Sequence, residues 1–155
     1  LHIICNYIRQ KKLDATVVTT DLGYAKGGRN YSAALGFSLA FVEKRRLGNE
    51  VGREALTLIG SVAGKDVLIV EDLVDTVGSV QQAVEVVRAN GARDIYLAFT
   101  HAVLSPPAIE RLRDLDIKEI VTTDTLPLDP AKRLPNMTIL TVAELLGEVM
   151  LSPMV

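Results

Sequence analysis

The sequence predicts an α/β fold in which a doubly wound, mainly parallel sheet is flanked by helices. Two observations lead to this expectation. Short runs rich in β-branched residues alternate with segments whose apolar residues recur at helical spacing. The alternation continues along the sequence without an internal repeat or a linker. Such a pattern is typical of parallel strands joined by right-handed helical crossovers.

Six strands are predicted, each of them a short apolar run. The clearest covers residues 67–70, because four apolar residues bounded by charged residues suit a strand that is covered on both faces. The last one is the weakest because it is the shortest. In chain order the predicted strands cover residues 15–20, 38–43, 67–70, 95–100, 119–122 and 138–140.

The segments between the predicted strands carry helical patterns. The strongest begins near Ser79, which together with Gln82 resembles a capping box, and Gly91 can end this helix. Its apolar residues form one stripe at helical spacing, namely Val80, Ala83, Val84 and Val87. Weaker patterns cover residues 3–13, 28–36, 106–114 and 141–150. Aliphatic residues at helical spacing are predicted to be core, including Leu112, Leu145 and Val149.

Composition and charge limit the classes of function. The chain has 155 residues, 48% of them hydrophobic and 23% charged, which is typical of one globular domain. A net charge of −2 argues against broad nucleic-acid binding. No apolar stretch approaches the roughly 18 residues that span a bilayer, so no membrane partner is expected. The single Cys5 and the absence of a leader pattern favour a cytoplasmic location.

Polar residues with the potential for chemistry follow the predicted strand 67–70. Ligands of open α/β sheets bind beyond the carboxyl ends of the strands, where Glu71 and Asp72 could hydrogen-bond vicinal sugar hydroxyls. The turn over residues 75–79 leads into a helix, whose free N–H groups and dipole favour a phosphate. Spacing alone leaves an alternative open, in which both acids are solvated and Ser79 only caps the helix.

Residues 67–79 closely resemble the phosphoribosyl-pyrophosphate signature of type I phosphoribosyltransferase folds. Within that superfamily, nearly the whole chain is similar to the C-terminal half of the ribose-phosphate pyrophosphokinase family. Five further segments match in the same order, which is more specific than any single motif. They are residues 20–23 with Arg29, 42–46, 99–105, 121–128 and 141–146. Because the first residue is also Leu, we expect residues 1–155 to be a single phosphoribosyltransferase-like domain of a longer chain.

The resemblance implies an activity: the transfer of diphosphate from ATP to ribose 5-phosphate, which gives phosphoribosyl pyrophosphate and AMP. It also implies a homo-oligomer whose nucleotide site is completed by an N-terminal half and a neighbouring subunit. We therefore expect little turnover from these 155 residues alone. In this family Mg²⁺ bridges the nucleotide phosphates, and the resemblance implies that Asp21 helps to hold it.

The resemblance also implies roles for individual residues. Lys44 and Arg46 would reach the transferred diphosphoryl group from a mobile loop, which contains Gly48 and Gly52. Glu71 and Asp72 would face the ribose hydroxyls, with Asp72 the surer of the two. Backbone N–H groups and hydroxyls would wrap the 5-phosphate over Asp75, Thr76, Val77, Gly78 and Ser79.

Three residues of the implied binding segments depart from the family pattern, and Pro106 also falls where a glycine is common. Tyr24 and Gly27 stand where the family usually has a glycine and an arginine, and Val77 replaces a glycine of the phosphate loop. A β-branched residue disfavours positive φ, so the phosphate site is expected to be reshaped, weakened or built with slightly different dihedrals. The departures at Tyr24, Gly27 and Val77 keep an alternative open, in which the chain is a non-catalytic, pyrophosphokinase-associated regulatory subunit. A phosphoribosyltransferase, which shares the phosphate loop, is a further alternative.

Without the resemblance, each candidate also has a plain structural interpretation. The cationic run at residues 44–46 would then be a solvated face, and Asp21 would be a turn residue. His101 stands at the end of a predicted strand, and a structural hydrogen bond is its expected role.

Overall fold

The structure, a computed structural model, describes residues 1–46 and 54–151, and only the backbone of residues 45, 46 and 54. Over these ranges seven strands form one sheet in the order β3-β2-β1-β4-β5-β6-β7. All neighbouring strands are parallel except β2 and β3, which are antiparallel. Strands β1 to β7 are Ala15–Thr19, Ser38–Arg46, Glu54–Ile59, Asp66–Val74, Ile95–Ala102, Glu119–Thr123 and Met137–Leu140.

Five α-helices occur in the described ranges, and the connections between parallel strands contain most of them. Helices α1 to α5 are His2–Gln10, Ala25–Leu35, Gly78–Ala89, Ala108–Asp114 and Ala143–Leu151. This architecture confirms the predicted doubly wound α/β fold with a mainly parallel sheet. None of these helices has the length and apolar character needed to cross a membrane.

Two hydrophobic cores lie on opposite faces of the sheet. Along β4, Val67 and Ile69 belong to the core formed with α3 and α4, whereas Leu68 and Val70 belong to the core formed with α1 and α2. All four side chains are fully buried. The prediction of a strand covered on both faces is therefore confirmed, and its carboxyl end emerges between the helix layers.

All six predicted strands are present, but β3 was not predicted. It is an edge strand that pairs only with β2 in the described part of the sheet. Leu56 and Leu58 of β3 are partly buried against the core formed with α3 and α4. A half-exposed edge strand of this kind lacks the continuous apolar run by which the central strands are recognised.

Two helix predictions are wrong. Helix α3 begins at Gly78 with Val77 as its N-cap and no side-chain cap, so Ser79 with Gln82 is not a capping box. Leu112 is buried as predicted, but Leu145 and Val149 of α5 are 44% and 67% exposed. Helical spacing shows which residues share a face and does not show whether another element covers that face.

Candidate functional site

A cleft of about 200 Å³ lies where the carboxyl ends of β1 and β4 meet the turn into α3. The two strands are parallel neighbours with Thr19 beside Val70, so the residues that follow them converge at one edge of the sheet. The cleft brings together most of the predicted site residues. Its lining is Thr20, Asp21, Glu71, Leu73, Val74, Asp75, Thr76, Val77, Gly78, Ser79 and Val80.

The turn at residues 75–79 forms the floor expected of an anion site. Val77 has φ +71° and ψ 1° and is followed by the helical Gly78. A left-handed residue next to a helical one makes successive N–H groups converge, here those of Val77, Gly78 and Ser79. Because no side chain caps α3, these donors at the positive end of the helix dipole are available to a phosphate.

Valine occupies the left-handed conformation that was expected to need glycine. An L-residue pays roughly 1–2 kcal/mol for this backbone conformation. Val77 is only 3% exposed and belongs to the core that α3 forms with the sheet. Burial of a valine side chain stabilises by about 1.5–3 kcal/mol, which offsets the strain. The turn therefore has a left-handed residue at position 77, and whether valine weakens the phosphate site stays a prediction.

The two acids at the end of β4 have different surroundings. Glu71 is partly buried and lines the cleft, whereas Asp72 is exposed and does not line it. The Thr20 hydroxyl donates a hydrogen bond to Oε1 of Glu71. Burial raises the pKa of Glu71 to about 7, against the opposing effect of that hydrogen bond, and the charges of Asp21 and Asp72 raise it further.

This pKa predicts a pH-dependent effect of Glu71→Gln. A native pKa above the ordinary 4.5 makes wild-type stability fall as the pH rises from about 4.5 to about 7. Glutamine cannot ionise, and its amide oxygen can still accept from Thr20. The variant should melt roughly 2–4 °C above wild type at pH 8 and level with it at pH 4.5. Thermal denaturation at both pH values checks this, and an equal shift at both would contradict it.

Asp21 stands in the turn between β1 and α2. Its Oδ1 accepts a hydrogen bond from the Tyr24 N–H at 3.1 Å, and the Thr19 hydroxyl donates to the Asp21 carbonyl at 2.7 Å. Among the described residues, Oδ1 is the one oxygen of this carboxylate that accepts a hydrogen bond. The side chain thus supports the turn with one oxygen while the carboxylate lines the cleft.

Tyr24 and Gly27, two of the departures from the family pattern, form one packed pair. A Cβ added to Gly27 would lie 2.2–2.6 Å from three ring atoms of Tyr24. Position 27 therefore cannot carry a side chain while the ring keeps this place. Burial raises the pKa of the Tyr24 hydroxyl, and the nearby charges of Asp72 and Glu71 raise it further.

The predicted cationic residues lie on β2, and Lys44 is not among the residues that line the cleft. Lys44 is exposed and stands opposite Leu56 of β3, and the backbone of Arg46 stands opposite Glu54. The loop predicted to follow, with Gly48 and Gly52, lies outside the described residues. Whether these cations reach a substrate stays a prediction.

Two residues near the cleft have hydrogen bonds that bear on the sequence predictions. His101 makes the expected structural contact, with Nδ1 at 2.9 Å from Oγ1 of Thr125. Sequence reasoning missed Arg111 of α4, whose Nη1 donates to the Thr76 carbonyl at 2.9 Å. An arginine on an amphipathic helix carries no sequence signal for such a contact, because the contact depends on how α4 packs beside the turn.

Comparison with known proteins identifies relatives over nearly the whole chain. The model of a family described as the phosphoribosyl synthetase-associated domain matches residues 43–151. A protein of Oryza sativa subsp. japonica named ribose-phosphate pyrophosphokinase 1, chloroplastic, is 41% identical over 150 residues, which cover 94% of this chain and 38% of that protein. This chain spans less than half the length of the curated relatives it matches.

Solved structures extend the comparison. Phosphoribosylpyrophosphate synthetase from Mycobacterium smegmatis superposes with a TM-score of 0.86 at 34% identity, over 95% of this chain and 48% of that one. APRTase from Giardia lamblia superposes with a TM-score of 0.63 at 14% identity, over 77% of this chain and 73% of that one. The second likeness is one of fold alone.

Proposed function

The chain belongs to the phosphoribosyl synthetase-associated domain family of the ribose-phosphate pyrophosphokinases, and we propose that it is the C-terminal domain of an enzyme that transfers diphosphate from ATP to ribose 5-phosphate. The products are phosphoribosyl pyrophosphate and AMP. The observation that carries this proposal is the turn at residues 75–79, an uncapped helix N-terminus with a left-handed residue beside acidic groups. We further propose that the enzyme is a cytoplasmic homo-oligomer.

In this proposal the turn holds the 5-phosphate of the sugar. The N–H groups of Val77, Gly78 and Ser79 donate hydrogen bonds to oxygen atoms of this phosphate. The side chains of Asp75, Thr76 and Ser79 border the same cleft, and the two hydroxyls can donate to the anion. With the phosphate at the turn, the ribose extends toward the end of β4, where Glu71 and Asp72 accept hydrogen bonds from its hydroxyls.

The donor set beside the turn fits a magnesium ion that the substrate helps to bind. Mg²⁺ prefers oxygen ligands, retains several waters and is commonly held by one or two carboxylates together with phosphates. Asp21 is one such carboxylate, and it lines the cleft beside the turn. Asp21 would hold the ion, which would neutralise charge on the transferred group.

Lys44 and Arg46 complete the proposed machinery as cations for the diphosphoryl group. Phosphoryl transfer depends mainly on positioning and on charge stabilisation, both of which cations supply. Val42 is two residues before Lys44 on β2 and is buried in the α3 side of the core. Because side chains alternate along a strand, Lys44 lies on the sheet face that carries α3 and the phosphate turn.

A second candidate is the non-catalytic, pyrophosphokinase-associated regulatory subunit. The packed pair of Tyr24 and Gly27 favours it, because the Tyr24 ring leaves no room for a side chain at position 27, where the family usually has an arginine. The left-handed turn at Val77, which leads into an uncapped helix N-terminus, favours the enzyme. The phosphoribosyltransferase alternative has weaker support, since the likeness to APRTase is limited to the fold.

Asp72→Asn tests the sugar site. The substitution keeps the size of the side chain and removes its charge, and hydrogen bonds to charged groups are worth about 1.5–3 kcal/mol. We expect affinity for ribose 5-phosphate, measured by calorimetry, to fall at least about tenfold. Melting temperature should stay near that of wild type because Asp72 is exposed. The matched control is Asp14→Asn, an exposed aspartate before β1 at the opposite edge of the sheet. Equal affinity of both variants would mean that Asp72 is merely solvated.

A further inference from the structure

Arg111 lies against the phosphate turn on the side of α4. Its Nη1 donates to the carbonyl oxygen of Thr76 at 2.9 Å. A Cβ added to Gly78 would lie 3.6 Å from the same nitrogen, so the guanidinium also borders the first residue of α3. The side chain is only partly exposed. One arginine from another helix thus contacts two consecutive parts of the turn.

The position of the Thr76 carbonyl determines where the next N–H group points. The carbonyl of Thr76 and the N–H of Val77 belong to one planar trans peptide, so they point in opposite directions. A donor that binds the carbonyl from the α4 side therefore turns the Val77 N–H away from α4, and Val77 lines the cleft. The same orientation keeps a carbonyl dipole from facing an anion in the cleft.

The hydrogen bond starts from a helix that is itself fixed to the sheet. In the connection from β5 to α4, the N–H groups of Val103 and Leu104 both donate to the Val74 carbonyl at 3.1 Å. Leu112, next to Arg111 in α4, is fully buried in the core that also contains Val77. The guanidinium therefore acts on the turn from a rigid support, which is what a positioning contact requires.

We propose that Arg111 is a positioning residue for the sugar phosphate: it holds the Thr76–Val77 peptide in the orientation that presents the N–H groups of the turn to the anion. This inference rests on the proposed function, in which that turn binds ribose 5-phosphate. It adds a residue from α4 to a site otherwise built from β1, β4 and the N-terminus of α3. The planar guanidinium leaves further N–H donors beside the hydrogen bond to Thr76.

Arg111→Met tests the proposal, with Arg113→Met as the matched control. Both arginines belong to α4, so the two variants remove the same charge from the same helix. We expect Arg111→Met to weaken binding of ribose 5-phosphate and of inorganic phosphate at least tenfold by calorimetry. Arg113→Met should change either affinity less than twofold. In the free protein, amide exchange at Gln81, whose N–H donates to the Val77 carbonyl at 2.9 Å, should be faster in Arg111→Met alone, a readout that general charge loss does not change.

Each result supports or overturns the proposal. Wild-type affinity in a folded Arg111→Met protein overturns it and leaves the proposed function intact. Failure of the wild-type chain to bind ribose 5-phosphate at millimolar concentration overturns the proposed function, and the inference with it. If Arg111→Met does not fold, Arg111→Lys decides. Lysine lacks the rigid fork, so affinity should fall about threefold below that of Arg113→Lys, and equal affinities overturn the proposal.

Discussion

If the proposed function holds, Lys44→Ala in the longer protein is expected to lower kcat about 100-fold while the KM of ATP or of ribose 5-phosphate changes less than threefold. The charge of Lys44 is needed most when negative charge develops on the transferred group, so its loss affects the transition state more than substrate binding. Removal of one preorganised charge stabiliser costs on the order of 3 kcal/mol. Folding should be unaffected, because Lys44 is an exposed residue of β2.

Two further variants give this prediction its controls. Arg46→Ala should likewise lower kcat with little change in KM, since Arg46 stands two residues further along β2. Lys65→Ala removes an exposed lysine just before β4, at the opposite edge of the sheet, and should leave both constants unchanged. Steady-state kinetics with ATP and ribose 5-phosphate measure all three. If Lys44→Ala and Arg46→Ala raise KM alone, these residues only help to bind the substrate, and the proposed catalytic role is wrong.

Val77→Gly is expected to be at least as stable as Val77→Ala. At most positions the glycine variant is the less stable of the two. Both remove a buried isopropyl group and should lower the free energy of unfolding by about 2 kcal/mol. Alanine retains the left-handed strain of roughly 1–2 kcal/mol, whereas glycine releases it. That release offsets the greater backbone entropy of glycine in the unfolded chain, which costs about 1 kcal/mol. Urea denaturation measures both variants.

Val80 provides the matched comparison. It is buried in the same core and lies inside α3, where the backbone is helical. Val80→Gly should therefore be about 1 kcal/mol less stable than Val80→Ala. If Val77→Gly is less stable than Val77→Ala by that same amount, the left-handed conformation assigned to Val77 is wrong. Affinity for ribose 5-phosphate should not rise in Val77→Gly, because valine already holds the geometry that glycine would permit.

The sequence predicted the central strands because their burial is complete. Residues 67–70 are apolar without interruption, and the structure covers them with helices on both sides. It did not predict β3, whose pairing with β2 depends on tertiary placement at the sheet edge. For α5 it predicted a core helix, yet its large apolar residues are exposed in the described structure. Local sequence patterns thus identify helices and strands better than they identify which elements pack against them.

The candidate site shows the same division. The turn at residues 75–79 and the acids before it could be placed from sequence because strand ends and helix starts are local features. The valine at position 77 suggested a disturbed turn, since its compensation by core burial is not visible in the sequence. The contact from Arg111, 35 residues away from Thr76, also arises only on packing. The raised pKa of Glu71 likewise depends on burial beside Asp21, which β1 brings close.

The most direct test of the proposed activity is an assay of the longer protein that contains this domain, supplied with ATP, ribose 5-phosphate and Mg²⁺. The proposal predicts that phosphoribosyl pyrophosphate and AMP form in equal amounts, that no product forms without Mg²⁺, and that Asp72→Asn lowers the rate at subsaturating ribose 5-phosphate. Protein that binds ribose 5-phosphate but forms neither product under these conditions would contradict the enzyme and favour the regulatory subunit.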